Sequence, residues 1–266
     1  MLTYRQISTA LSRLQLDRNR PVIAHVSLSA FGYVQGGAET VLGALLSICS
    51  GLMMPTFTYK TMVTPEVGPD NNGVRYGSGK DTNQMSEFFY AKMPADRLMG
   101  KVAESLRQHP RARRSSHPIL SFSGIDVDDA IDAQSLDDPL APIGKLLEAG
   151  GYVLMAGVDH TTNTSIHYAE KLAGRKRFVR WALTPQGVVT CPGFPGSSEG
   201  FEQINADLEL ETSQVMVGSA RVRAVPLDVL IKTALDLIAK DPLALLPEES
   251  SDERVHAVRE EVATGH

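Results

Sequence analysis

The chain has 266 residues, 42% of them hydrophobic, enough apolar material for one large α/β core. A formal net charge of -5 argues against nucleic acid as the main partner and leaves room for a cationic ligand. With no 18-residue apolar run and no charged, apolar, small-residue leader, the expectation is a cytoplasmic protein without a membrane span, and the two distant cysteines, Cys49 and Cys191, predict reduced thiols.

Ile7, Leu11 and Leu14 recur at helical spacing behind a Thr3/Gln6 capping box, which predicts an opening helix over residues 3 to 16. The run from Val22 to Leu28 reads as a strand with His25 and Ser27 near its end, followed by a loop to Gly37 and a helix from Ala38 to about Ser50. Such a unit aims backbone N–H groups at whatever sits above Gly36 and Gly37, although the glycines match neither a P-loop nor a dinucleotide fingerprint. A second strand, 52 to 58, runs into residues 59 to 82, rich in Gly, Pro and Asn, whose length without periodicity marks a functional loop.

Helical patterns follow at 84 to 92 and 97 to 108, then a basic cluster of Arg111, Arg113 and Arg114, the turn Ser115-Ser116-His117-Pro118 and a strand over 119 to 123. Asp126, Asp128, Asp129, Asp132, Asp137 and Asp138 crowd the next segment, which reads as a solvated face around short helices at 127 to 134 and 142 to 149.

Behind Gly150 and Gly151, the apolar run Tyr152 to Ala156 predicts a buried strand that delivers a polar cluster, Asp159 to Ser165, into a helix starting near Asn163 or Thr164. Asn163, His167 and Glu170 then share one face, and Glu170 at three residues' distance can fix the tautomer and ring orientation of His167. That arrangement suits a general base. Hairpin patterns at 178 to 191 and 215 to 225 predict a second, antiparallel layer, Pro226 opens a helix to about Ala239, and a last helix is expected near 251 to 262.

His25-Val26-Ser27-Leu28 with Gly36-Gly37-Ala38, Met54-Pro55-Thr56-Phe57-Thr58, Arg114-Ser115-Ser116-His117-Pro118 with Ser121-Phe122, and Asn163-Thr164 with His167 and Glu170 occur in that order. The ordered set, over about residues 20 to 185, resembles the aminoglycoside 3-N-acetyltransferase family. The resemblance implies an α/β/α fold with a mixed central sheet. With it we expect a single domain over 1 to 266, in which residues 186 to 266 complete the acceptor side. It further implies acetyl-CoA as donor, an amine of the 2-deoxystreptamine ring as acceptor, and no metal. Transfer would be direct, with His167 as base, Glu170 orienting it, and Asn163 and Thr164 beside them.

By the same resemblance His25 and Ser27 would lie beside the pantetheine and thioester, with Leu28, Thr56 and His117 in the cofactor-binding motifs. Gly36, Gly37, Ala38, Ser116 and the arginines, Arg114 first among them, are the expected phosphate binders. Ser27, Thr164 or backbone N–H groups are all open as oxyanion donors. A polycationic acceptor calls for acidic walls, for which Asp70, Asp159, Glu170 and Glu211 are the candidates. Four alternatives stand beside this one: an acetyltransferase for another amine, a metal-dependent hydrolase built from His25, His117, Asp159, His160 and His167, a serine nucleophile at Ser27 or Ser116, and a CoA- or small-molecule-binding module whose His167–Glu170 pair is structural. Homodimer formation is left open.

Overall fold

In the computed structural model, which describes residues 1–265, the apolar runs assemble into two sheets flanked by helices. The chain begins with α1 (Tyr4–Leu11), β1 (Val22–Val26), α2 (Gly37–Leu46), β2 (Leu52–Pro55), β3 (Met62–Val63), the single turn α3 (Lys80–Asn83) and α4 (Gly100–Gln108). It continues with β4 (Arg113–Arg114), β5 (Phe122–Ile125), α5 (Asp128–Ala133), α6 (Ala141–Glu148), β6 (Tyr152–Ala156) and α7 (Thr164–Leu172). It ends with β7 (Phe178–Thr184), β8 (Gly187–Phe194), β9 (Ser213–Val217), β10 (Ala220–Pro226), α8 (Leu227–Lys240) and α9 (Glu253–Thr264).

The main sheet has the order β4-β5-β2-β1-β6-β10-β9, with β1 parallel to both β2 and β6 and the outer pairings antiparallel. All five β1 residues are buried, as expected for a central strand covered on both faces. Ile23, Met53, Val153, Met155 and Val225 belong to the core shared with α6, α7 and α8. Val22, Ala24, Val26, Leu154 and Ala224 belong to the core shared with α1, α2 and α4. The result is the α/β/α layering with a mixed central sheet that the family resemblance implied.

The second sheet, β3-β7-β8, alternates buried and half-buried residues along β7, so only one of its faces is fully covered. The pair β9 and β10 does not join it, contrary to expectation. Instead β10 runs antiparallel to β6, from Val222 opposite Ala156 to Pro226 opposite Tyr152, and extends the main sheet. Val222, Ala224 and Val225, with Arg223 between them, are all buried there, which a separate two-stranded layer would leave half exposed.

Residues 84 to 92 are not helical either. Glu87 N–H donates to the Lys60 carbonyl at 2.9 Å and Phe89 N–H to the Leu183 carbonyl at 2.9 Å, so the segment lies extended beside the second sheet. The acidic run and the basic cluster neutralise each other across a gap in sequence. Arg111 pairs with Asp126, Arg113 with Asp128 at 2.8 Å and Asp132 at 2.5 Å, and Lys171 with Asp138 at 2.5 Å. Among the described residues no helix is long and apolar enough to cross a membrane, and Cys49 and Cys191 are both free thiols.

Candidate active site

The carboxyl end of β6 leads through Gly157 into a short turn capped by Asp159, whose Oδ1 accepts the Thr161 N–H at 3.0 Å. Asn163 then caps α7 by accepting the Ser165 N–H at 3.1 Å, and its amide nitrogen lies 3.2 Å from His160 Nδ1. The helix therefore starts at Thr164 and projects His167 and Glu170 from one face, as the spacing required. His167 Nδ1 sits 2.6 Å from Glu170 Oε2, and both side chains are buried, at 10% and 6% exposure.

This bond sets the chemistry of the ring. With Nδ1–H donating to the carboxylate, the Nε2 lone pair is the one left for the cleft that His167 lines. Phe201 packs edge-on against the imidazole with centroids 4.7 Å apart, which holds its plane. Burial pushes the Glu170 carboxyl up, but the His167 hydrogen bond and charge together with Arg175 outweigh it and hold the carboxyl below its usual range.

The cleft has two lobes. The first, about 460 Å³, is lined by His25, Tyr59, Asn163, Thr164, His167 and the segment Phe194 to Glu199, with Asp252 and Arg254 closing one side. The second, about 790 Å³, is lined by Ser27, Leu28, Ser29, Gly37, Arg97 and Lys101. They meet at Val26, Leu98 and Val158, so the end of β1 forms the floor between them. Burial and then the charge of His160 hold His25 down to about 3, and its buried Nε2 has no protein partner.

Of the expected cofactor residues, Ser27, Leu28 and Gly37 line the second lobe, and Gly36 and Ala38 adjoin it at the start of α2. Ser27 Oγ lies 3.1 Å from Ser29 Oγ. The arginine expected to hold phosphate does something else. Arg114 donates to Ser121 Oγ at 3.1 Å, to the Thr56 carbonyl at 2.8 Å and to the Ala91 and Met93 carbonyls, and its guanidinium stacks 5.5 Å above the Phe89 ring. Burial, then the charge of Arg107, pull it down to about 10. Its donors are spent on the protein, so it is a brace between three segments.

Thr56 and His117 are likewise structural. Thr56 Oγ1 bonds the Ser121 carbonyl at 3.1 Å, and His117 Nδ1 accepts the N–H groups of Ile119 at 3.1 Å and Leu120 at 2.9 Å. Ser116 is exposed off the cleft. Arg111 and Arg113 are committed to their aspartates. Arg97 and Lys101 are the basic groups that do line the second lobe, and nothing in their local pattern set them apart from an ordinary helix start.

The expected acidic wall needs correcting in the same way. Asp70, Asp159 and Glu211 are exposed and do not line the cleft, while Glu170 lies buried behind His167. The acids that do line it are Glu199, bonded by the Ser250 hydroxyl at 2.6 Å, and Asp252, paired with Arg254 at 2.5 Å. They come from two segments about fifty residues apart, so no local motif announced them. Tyr59, pushed up to about 12 chiefly by burial, opens the loop that length alone had marked as functional. Among the described residues no group of three His, Cys, Asp or Glu side chains is placed to hold a metal ion, and His117, one of the residues of the alternative hydrolase reading, has its Nδ1 committed to backbone N–H groups.

The family model described as aminoglycoside 3-N-acetyltransferase matches residues 23–239. Aminoglycoside N(3)-acetyltransferase VII of Streptomyces paromomycinus is 32% identical over 195 residues, covering 67% of this chain and 64% of that protein, so the match spans a little under two thirds of the relative. The solved apoenzyme of aminoglycoside acetyltransferase AAC(3)-IVa shares the fold with a TM-score of 0.78 at 22% identity, covering 97% of both chains. AAC-IIIb, solved as a binary complex with CoASH, shares it with a TM-score of 0.72 at 23% identity, covering 90% of this chain and 96% of that one. By the family match over most of its length, the chain belongs to the aminoglycoside 3-N-acetyltransferase family.

Proposed function

We propose that the protein transfers an acetyl group from acetyl-CoA directly to the 3-amino group of the 2-deoxystreptamine ring of an aminoglycoside, with His167 as general base. The observation that carries this reading is the 2.6 Å bond between His167 Nδ1 and Glu170, which leaves the ring's other nitrogen for the first of the two adjoining lobes, the one His167 lines. CoA bound to AAC-IIIb, a neighbour in fold, supports the donor. The second lobe is assigned to acetyl-CoA, with Arg97 and Lys101 facing its phosphates and Ser27 near the thioester. The first lobe takes the amine, between the acids Glu199 and Asp252 contributed by the C-terminal part of the chain.

An alkylammonium is not a nucleophile, so the acceptor reacts as the free amine after giving one proton to solvent, and its nitrogen must lose a second proton as it attacks the thioester carbonyl carbon. His167 Nε2 takes that proton, and Glu170 stabilises the imidazolium that forms. The tetrahedral oxyanion is met by Thr164, at the first turn of α7, or by Ser27. Collapse breaks the C–S bond, and the imidazolium returns the proton to the departing thiolate. Net, one acetyl group moves, one amide forms and free CoA thiol is released. A donor of this kind is supplied in the cytoplasm, where we place the protein.

The test is release of CoA thiol with kanamycin, gentamicin, neomycin and apramycin, run beside His167→Ala. The expected result is turnover that falls at least about 100-fold in the variant while CoA binding is retained. Turnover by the wild type with no effect of His167→Ala would overturn the assignment of the base. Absence of turnover across the panel, with CoA bound, would move the acceptor to another amine.

A further inference from the structure

Glu170 has a second partner that the mechanism above does not use. α7 ends through Gly174, at φ +74°, and the chain folds back so that Gly174 N–H donates to the Lys171 carbonyl at 3.1 Å and Arg175 N–H to the Glu170 carbonyl at 2.9 Å. This helix-ending turn lays Arg175 over the last turn of α7. Its Nη1 donates to Glu170 Oε1 at 2.7 Å, with 5% and 6% of the two side chains exposed. Its Nη2 donates to the carbonyls of Pro242 and Ala244, both at 2.8 Å.

We propose that Arg175 is a positioning residue for the base, supplying the positive charge that balances buried Glu170 so that His167 does not have to. The inference rests on His167 being the base. A buried carboxylate without a counter-charge either takes up a proton or draws one onto its neighbour, and each outcome removes the acceptor nitrogen from use. A carboxylate matched by a guanidinium can remain ionised and orient a neutral ring. Burial alone would push the Glu170 carboxyl up, and Arg175 is one of the two groups that reverse it.

Few other charges compete for this role. The charged groups around the pair are His25 from β1, His160 from the turn before α7, Glu202 beside Phe201 with Arg223 of β10 paired to it at 3.1 Å, and Glu199, Asp252 and Arg254 on the cleft wall. Asp228, Lys232 and Asp236 of α8 are exposed, and α8 meets the core through Leu230, Ile231 and Ala234. Arg175 is hydrogen-bonded both to Glu170 and to the chain segment leading to α9.

The test compares Arg175→Gln, Arg175→Met and Arg175→Lys with the wild type. The pH titration of the His167 ring protons by NMR needs no acceptor, so it is independent of which amine is the substrate. The neutral variants are expected to protonate the His167–Glu170 pair at a pH higher by about 1 unit, and the acidic limb of kcat/KM to move with it. Arg175→Lys is expected to restore the wild-type midpoint to within a few tenths. All three should melt below the wild type, because the bonds to Pro242 and Ala244 are weakened. If both neutral variants melt early yet keep the wild-type midpoint, Arg175 only fastens the 242–244 segment and the proposal fails. Arg175→Met, of similar length and without a polar group, keeps the test open should Arg175→Gln not fold.

Discussion

Arg114 Nη2 donates to the Thr56 carbonyl across 2.8 Å, tying the end of β2 to the edge strand β4 and, through the Ala91 and Met93 carbonyls, to the segment before α4. The brace therefore holds several walls of the cleft at once. Arg114→Met should cost about 2 to 4 kcal/mol in urea unfolding, because several carbonyls lose a charged donor. Its KM for acetyl-CoA should stay within about twofold of the wild type. The double variant Arg97→Ala/Lys101→Ala should do the opposite, raising that KM about tenfold, at roughly 0.7 kcal/mol for each exposed charge, with stability unchanged. The reverse pattern would return the phosphates to Arg114.

Three histidines make the fold sensitive to acid. His25 is held down to about 3 by burial and then His160, His117 to about 4 by burial, and His160 to about 4 by burial and then Arg223. Each is neutral when folded and takes up a proton in the unfolded chain below the ordinary 6.5, so the unfolded state binds more protons. Stability is thus full above pH 6.5 and drains away as pH falls, levelling near 4 for His117 and His160 and near 3 for His25. Between pH 7 and pH 5 the loss should be on the order of 5 kcal/mol for the three together. His117→Asn keeps an acceptor for the Ile119 and Leu120 N–H groups and should remove about a third of that dependence. An unchanged slope in this variant would show that His117 is not one of the groups responsible.

What was legible in the sequence was what neighbours decide. The strand Tyr152–Ala156, the cap at Asn163 and the His167–Glu170 pair all follow from spacings of five residues or fewer, and each formed where expected. Partners far away in sequence were not legible. Arg114 carries the same charge whether it faces a phosphate or the Thr56 carbonyl 58 residues away, and Glu199 reaches the cleft only because the chain after β8 folds against the start of α9. The pairing of β10 with β6 is of the same kind, since a hairpin pattern does not say which sheet its outer strand joins. The Schellman turn at Gly174 was present as a glycine at the end of a helical pattern. Its consequence, an arginine returned onto Glu170, depends on how the chain folds back after the helix.

The acceptor wall gives a further expectation. Asp252 accepts the Arg254 N–H at 2.9 Å as the cap of α9 and also pairs with the Arg254 guanidinium, which donates on to the Pro195 and Gly196 carbonyls. Asp252→Asn preserves the cap while removing the charge. Together with Glu199→Gln it should raise KM for a cationic amine about tenfold and flatten the dependence of KM on salt, with kcat changed less. A fall in kcat at constant KM would place these acids with the chemistry and not with acceptor binding.

Gly157 stands where the central strand hands the chain to the site, and here the backbone has no alternative. Its φ is +68°, and a Cβ there would lie 2.2 Å from Ala30 Cβ and 3.4 Å from the Ser27 carbonyl, while its own N–H donates to the Arg221 carbonyl at 2.8 Å. The chain cannot relax without losing that bond or pushing away the loop that carries Ser27 and lines the second lobe. Gly157→Ala should therefore cost about 3 kcal/mol, combining a left-handed alanine with an overpacked contact, and lower the melting temperature by roughly 6 to 12 °C. KM for acetyl-CoA should rise with it, because Ser27 and Leu28 move together. Gly174, at φ +74° with open space around it, offers the contrast: Gly174→Asn should cost less than about 1 kcal/mol, since asparagine accepts this conformation and meets no neighbour. Equal losses in the two variants would mean that the left-handed backbone alone sets the cost, and that Ala30 yields to the added methyl group without disturbing the lobe.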